Sequence, residues 1–135
     1  MRLNQASRKR MLNTFVELAK LASPSRKEGL VAARLEKELR ALGCQVSFDN
    51  AGKKSGGQVG NLIAKFPGNG GETPFLISAH MDTVTPCEGV KPIVESKRVR
   101  SDGKTILGAD CKGALAGILQ LLREIKEKNL PRPPI

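Results

Sequence analysis

Tryptophan and tyrosine are absent, and four phenylalanines are the only aromatic side chains in this 135-residue chain. Proteins that grip unpaired bases stack them on aromatic faces, and this sequence has few to offer. The net charge of +10 has the sign that attracts polyphosphates. Its basic residues, however, alternate with apolar ones at helical spacing, as on a solvated helix face, so nucleic acid is not the expected partner. Long hydrophobic runs are missing as well. None approaches the ~20 residues that a membrane-spanning helix needs, which argues against a membrane partner. The basic N-terminus lacks the apolar core and small-residue cleavage site of a secretory signal. Cysteine is scarce: Cys44, Cys87 and Cys111 form an odd set without metal-type spacing, which reads as reduced thiols in a cytoplasmic protein. Histidine occurs once, at His80, so any imidazole chemistry must run through that residue.

What is present suits one small domain with a modest core. Hydrophobic residues make up 39% of the chain, above the range of disordered sequences. Leu12, Phe15, Val16, Ala19 and Ala22 form one stripe over 7–22 and predict an amphipathic helix, which Ser23-Pro24 breaks. Ser25 stands three residues before Glu28, the spacing of a capping box. A second helix is expected to follow, with Val31, Leu35, Leu39 and Leu42 inward and Gly43 as its C-terminal cap. From Cys44 the period changes to two, and 45–49 reads as a half-buried strand. Residues 50–60 are turn and loop chemistry, 61–66 the next strand, and 68–73 a connection. Phe75 to Ala79 is the most apolar strand and is expected to be central. Segments 93–95 and 98–100 suggest a short hairpin, and Ala114 to Lys128 a third amphipathic helix. Helices alternating with strands predict an α/β layered domain, three layers deep, with a central mixed sheet and flanking helices.

Two segments carry candidate chemistry. The apolar run Phe75-Leu-Ile-Ser-Ala-His80-Met-Asp82 ends in His-x-Asp, and residues two apart on a strand point to the same side. Asp82 can therefore approach the imidazole of His80, fix its tautomer and make the other ring nitrogen a better metal donor. A lone strand-end histidine beside a surface aspartate is the plainer reading of that pair. Asp110 lies in Gly108-Ala-Asp-Cys-Lys-Gly113, just before a helix. There the helix dipole favours an anion, and the carboxylate could bridge two cations ~3.5–4 Å apart. An ordinary helix-capping aspartate is the plainer alternative. Neither motif decides the matter alone.

Taken together and in order, Ser25-x-x-Glu28, Gly60-Asn61-Leu62-Ile63-Ala64, Ser78-Ala-His-Met-Asp-Thr-Val84, Ser101-Asp-Gly103 and Leu107-Gly-Ala-Asp-Cys-Lys-Gly113 span nearly the whole chain. In these motifs the sequence resembles the co-catalytic zinc peptidase clan that includes peptidase T, aminoacylases and succinyl-diaminopimelate desuccinylase, with peptidase T-like aminopeptidases the closest likeness. The resemblance implies that His80 is a ligand of one metal, that Asp82 is the catalytic-site residue orienting that histidine, and that Asp110 is the carboxylate bridging both metals. It implies zinc as the metal, with cobalt or manganese as substitutes, short peptides as substrate, and a homo-oligomer as an option for a full-length parent. Members of the clan often carry an acidic residue or Met where Cys111 stands, commonly after a cis peptide bond. Cys111 departs from the acidic version and reads as a variable position rather than a soft ligand. Lys112 reads as a packing or hydrogen-bonding residue.

In the resembled clan a strand after the third helix leads to a Glu-Glu pair that supplies the general base and a further ligand. The sequence here ends at about the start of that strand. The expectation is thus that residues 1–135 are the N-terminal portion of a zinc-peptidase catalytic domain, without its lid or dimerisation domain and without its C-terminal half, and inactive by itself. Two alternatives accompany that expectation: a related deacylase or desuccinylase, and a small basic binding module for an acidic partner.

Overall fold

The computed structural model describes residues 2–70 and 73–135. Two long helices frame it. Helix α1 (Gln5–Lys20) starts at Asn4, whose side chain accepts a hydrogen bond from the Ser7 amide at 2.8 Å, an N-cap that occupies a free donor of the first turn. Helix α4 (Ala109–Glu127) packs along α1. Helix α2 (Gly29–Ala41) ends as Gly43 predicts. That glycine sits at φ +93°, with Gly43 N–H donating to Arg40 and Cys44 N–H to Leu39, the paired bonds of a Schellman cap. Strands β1 (Gln45–Phe48) and β2 (Leu62–Lys65) form an antiparallel pair, joined through the short helix α3 (Ala51–Ser55). Strands β3 (Ile93–Val94) and β4 (Val99–Arg100) form the expected hairpin. The core lies between the β1–β2 pair and the helices, where Leu18, Val31, Leu35, Phe66, Leu119 and Leu122 are buried together. Each such side chain contributes about 1.5–3 kcal/mol relative to leaving it in water.

The α/β class with flanking helices is as expected; several local features differ. Residues 51–55, read as loop, form a helical turn, because the side chain of Asp49 accepts from the amides of Ala51 and Asn61 and closes the intervening segment into a compact knot. The capping box at Ser25 does not form: Glu28 accepts instead from the Arg26 amide at 2.6 Å, and the Ser25 hydroxyl is used elsewhere. Phe75–Ala79 pairs with no strand among the described residues. The described strands make two small antiparallel sheets, plus a parallel bridge between Pro24 and Thr83, in place of one central mixed sheet. Part of the expected connection over 68–73, at 71–72, lies outside the described residues.

The α1–α4 contact is polar as well as apolar. Glu124 is 1% exposed and accepts from the Ser7 hydroxyl and, at 2.8 Å, from Gln120 Nε2. Arg123 reaches past it to Thr14 Oγ1 at 3.0 Å and Glu38 Oε2 at 2.5 Å, tying α1, α2 and α4 together. The Lys128 ammonium, with help from the Ser7 hydroxyl, holds the Glu124 carboxyl down at about 2, against 4.5 for a free glutamate. A carboxyl lowered on folding contributes stability that is complete above its unfolded value and is lost as pH falls toward its folded one. Glu124→Gln should therefore flatten the loss of thermal stability between pH 4.5 and about 2, while lowering the melting temperature at neutral pH. Thermal unfolding followed by circular dichroism across that range checks both effects.

Candidate metal centre

The residues that position the site come from three places in the chain. Thr83 N–H donates to Ser23 O at 2.8 Å, which lays the end of the His-x-Asp segment beside the turn between α1 and α2. The Ser25 hydroxyl then donates to Asp82 Oδ2. Asp82 turns its other oxygen, Oδ1, toward His80 Nδ1 at 3.0 Å, and its own backbone carbonyl lies 2.9 Å from the same nitrogen. Both partners are acceptors, so Nδ1 carries the proton and donates to them. The opposite ring nitrogen, Nε2, is left facing Asp110 Oδ1 at 3.2 Å.

That arrangement has an electrostatic consequence. With Nδ1 protonated, a neutral imidazole presents a lone pair to a carboxylate oxygen, and two acceptors oppose each other. Either a second proton or a cation resolves the opposition. Burial alone pulls the imidazole's pKa down, but the hydrogen bonds that Asp110 and Asp82 accept from the protonated ring prevail and leave it raised. Asp82 is lowered, first by the Ser25 hydroxyl and further by His80. The Asp110 side chain is 95% exposed, so its oxygens face open space beyond the imidazole. Cys111 completes the cluster: one donor atom each from His80, Asp110 and Cys111 lie within 4.8 Å of one another. Nitrogen, carboxylate oxygen and thiolate sulfur are the donor types that zinc takes, and among the described residues no other group of three or more such donors gathers. The residues fit a divalent cation.

Backbone geometry sets Asp110. Gly108 precedes α4 at φ +72°, and the peptide between Asp110 and Cys111 is cis. Asp110 and Cys111 depart from helical geometry, which turns the carboxylate off the helix and toward His80. Lys112, next in sequence, is 1% exposed and donates to Leu21 O at 2.6 Å. The start of α4 is thus pinned to the end of α1. A cavity of about 320 Å³ opens between His80–Val84 and Ile106–Asp110.

All three residues singled out from the sequence meet here: His80 lies between Asp82 and Asp110. Two participants escaped that reading. Ser25 reads from the sequence as a helix cap, and only the Ser23–Thr83 bond brings its hydroxyl to Asp82; its place in the Ser25-x-x-Glu28 motif is the available signal. Cys111 reads from the sequence as a variable position, yet its sulfur lies within 4.8 Å of the other two donor atoms. A side chain at Gly108 would meet Thr83 Cγ2 at 3.1 Å while adopting a left-handed conformation. Gly108→Ala should accordingly lower the unfolding free energy by about 1–2 kcal/mol, which urea denaturation measures.

No protein-family model matches the chain. The sequence is 38% identical over 122 residues to the uncharacterized protein YqjE of Bacillus subtilis, a match covering 90% of this chain and 33% of that protein. Its structure is similar to the crystal structure of aminopeptidase PepT from Bacillus cereus, with a TM-score of 0.91, 38% identity and coverage of 94% of this chain and 34% of that one. It is also similar to a tripeptidase from Staphylococcus aureus, with a TM-score of 0.88, 40% identity and the same coverage. The chain spans about a third of the length of each of these proteins. Over that span it has the fold of part of an aminopeptidase.

Proposed function

We propose that this chain is the N-terminal portion of the catalytic domain of a metal-dependent aminopeptidase acting on short peptides, with zinc as the metal and cobalt or manganese as substitutes. The observation that carries the reading is the imidazole of His80 clamped at Nδ1 by Asp82 while Nε2 faces Asp110. The likeness to an aminopeptidase and a tripeptidase supports the substrate class. His80 and Asp110 would hold the cation, Cys111 stands close enough to join them, and Asp82 would orient the histidine without touching the metal. A cation bound there would serve as a Lewis acid toward the peptide carbonyl and the attacking water.

This chain's own residues do the rest. Ser25 holds Asp82 as a carboxylate, Asp82 keeps the proton on Nδ1, and Nε2 is thereby available as a donor. Gly108 and the non-helical turn at Asp110 aim the second ligand. Accepting a proton from water is a separate task, and no further carboxylate joins the cluster among the described residues. The isolated chain is therefore proposed to bind metal without turnover.

Cobalt(II) titration monitored by visible absorption tests the reading. One saturable site is expected. His80→Ala or Asp110→Asn should abolish it, and Asp82→Ala should weaken it by about 10–100-fold, as loss of a group that orients a ligand does. Equal cobalt binding by the wild-type chain and His80→Ala would refute the proposal.

A further inference from the structure

The three cysteines stand in different surroundings. Cys44 packs in the hydrophobic core and Cys87 is sealed from solvent, whereas Cys111 is half-buried beside His80 and Asp110. Consecutive residues on a regular α-helix point about 100° apart, which would carry one of two neighbouring side chains away from the imidazole. Asp110 (φ −90°, ψ 107°) and Cys111 (φ −113°, ψ 18°) are both non-helical, and one donor atom from each gathers with a ring nitrogen within 4.8 Å. Around a tetrahedral zinc the usual bond lengths to nitrogen, oxygen and sulfur place the donors about 3.4–3.6 Å apart. His80 Nε2 and Asp110 Oδ1, at 3.2 Å, already stand close to that spacing. The sulfur therefore has to come in by about 1.2 Å at most, a shift that rotation about the Cα–Cβ bond of a half-buried side chain supplies. Charge agrees with geometry: one carboxylate and one thiolate beside a neutral imidazole together cancel the charge of a divalent cation.

We infer that Cys111 is a third protein donor to the cation and that its sulfur sets the metal preference of the site, favouring zinc and cadmium over manganese. The inference rests on the reading of His80 and Asp110 as ligands and adds to it the residue that discriminates among metals. Carboxylate oxygens suit manganese, whereas a thiolate is a soft donor that selects zinc and, by the same softness, cadmium. Manganese is then the weakest of the substitutes, and the cause is one side chain. As the sulfur–metal bond forms, the thiol gives its proton to solvent, because the thiolate is the form that coordinates. The same coordination ties up the sulfur lone pair, so the reactivity of Cys111 toward alkylating agents follows the occupancy of the site. Cys44 and Cys87 are buried away from the cluster and do not share that dependence.

Titrations of the 135-residue chain with cobalt(II), cadmium(II) and manganese(II) test it. With cobalt the wild-type chain should show an intense near-ultraviolet sulfur-to-cobalt charge-transfer band beside the weak visible bands, and Cys111→Ser should lose the first while keeping the second. Cys111→Ser should weaken cadmium binding by about tenfold or more, at least what loss of a ligand-orienting group costs, and should leave manganese binding nearly unchanged. Cys111→Asp should strengthen manganese binding relative to cadmium. In the unsubstituted chain, bound cadmium should slow alkylation of Cys111 by iodoacetamide by about tenfold or more, since the free thiolate is the nucleophile; mass spectrometry of the modified peptide reads this without relying on any variant to fold. A saturable cobalt site without the charge-transfer band, a band that survives in Cys111→Ser, or alkylation that cadmium leaves unchanged would overturn the role of Cys111 while keeping His80 and Asp110 as ligands. Absence of any saturable site in the wild-type chain would overturn that role and the proposed function together.

Discussion

A single imidazole held between two carboxylates organises this protein's chemistry. His80 cannot satisfy both partners as a neutral ring. Asp82 and the backbone carbonyl beside it claim the proton on Nδ1, and Nε2 then confronts Asp110. A weaker scaffold would relieve the opposition by letting one carboxylate swing away into solvent. Here each is held from behind. Asp82 is tethered by Ser25, on the turn between α1 and α2. The backbone that carries Asp110 is tethered by buried Lys112 to the end of α1. Both tethers converge on one short stretch, Leu21 to Ser25, so the α1–α2 turn sets the distance between two carboxylates, Asp82 and Asp110, that stand 28 residues apart in sequence. An electrostatic mismatch held this firmly is what a cation relieves.

The rest of the fold divides into a finished half and an open one. On the finished side, α1, α2 and α4 are laced by buried polar groups, with Arg123 joining Thr14 and Glu38 and with Glu124 closed over by Ser7 and Gln120. On the open side, β2 and the Phe75–Asp82 segment face each other with only Pro134 and Ile135 between them among the described residues. Exposed Phe75 and Leu76 there, at 60% and 87%, are apolar side chains still in contact with water. The cluster at His80 stands at the end of that open slot.

Charge is used locally. The excess of basic residues suggests an electrostatic surface when counted, but many are engaged: Arg10 with Glu127, Arg34 with Glu17 and Glu38, Arg98 and Arg100 with Glu95, and Arg123 with Glu38. Exposed pairs of this kind contribute little to stability, typically under ~1 kcal/mol. They do temper the field that would draw a polyanion.

Much of this was legible in the residues themselves. Periodicity located α1, α2, β1, β2 and the hairpin, because the spacing of apolar side chains follows from local geometry alone. Gly43 announced its cap, and the types and context of His80, Asp82 and Asp110 pointed to the cluster that these three side chains form. Other features depended on partners far away in the chain. Ser25 three residues before Glu28 suits a cap equally well, and only the pairing of Thr83 with Ser23 turns its hydroxyl to Asp82. The most apolar segment, Phe75–Ala79, has the composition of a central strand, yet being a strand requires a neighbour with free backbone groups, and none of the described residues provides one beyond Pro134. Local sequence determined which segments could be helix, strand or ligand. Tertiary structure decided which were paired and which side chains met, since hydrogen bonds and metal geometry depend on distances that no short stretch of chain encodes.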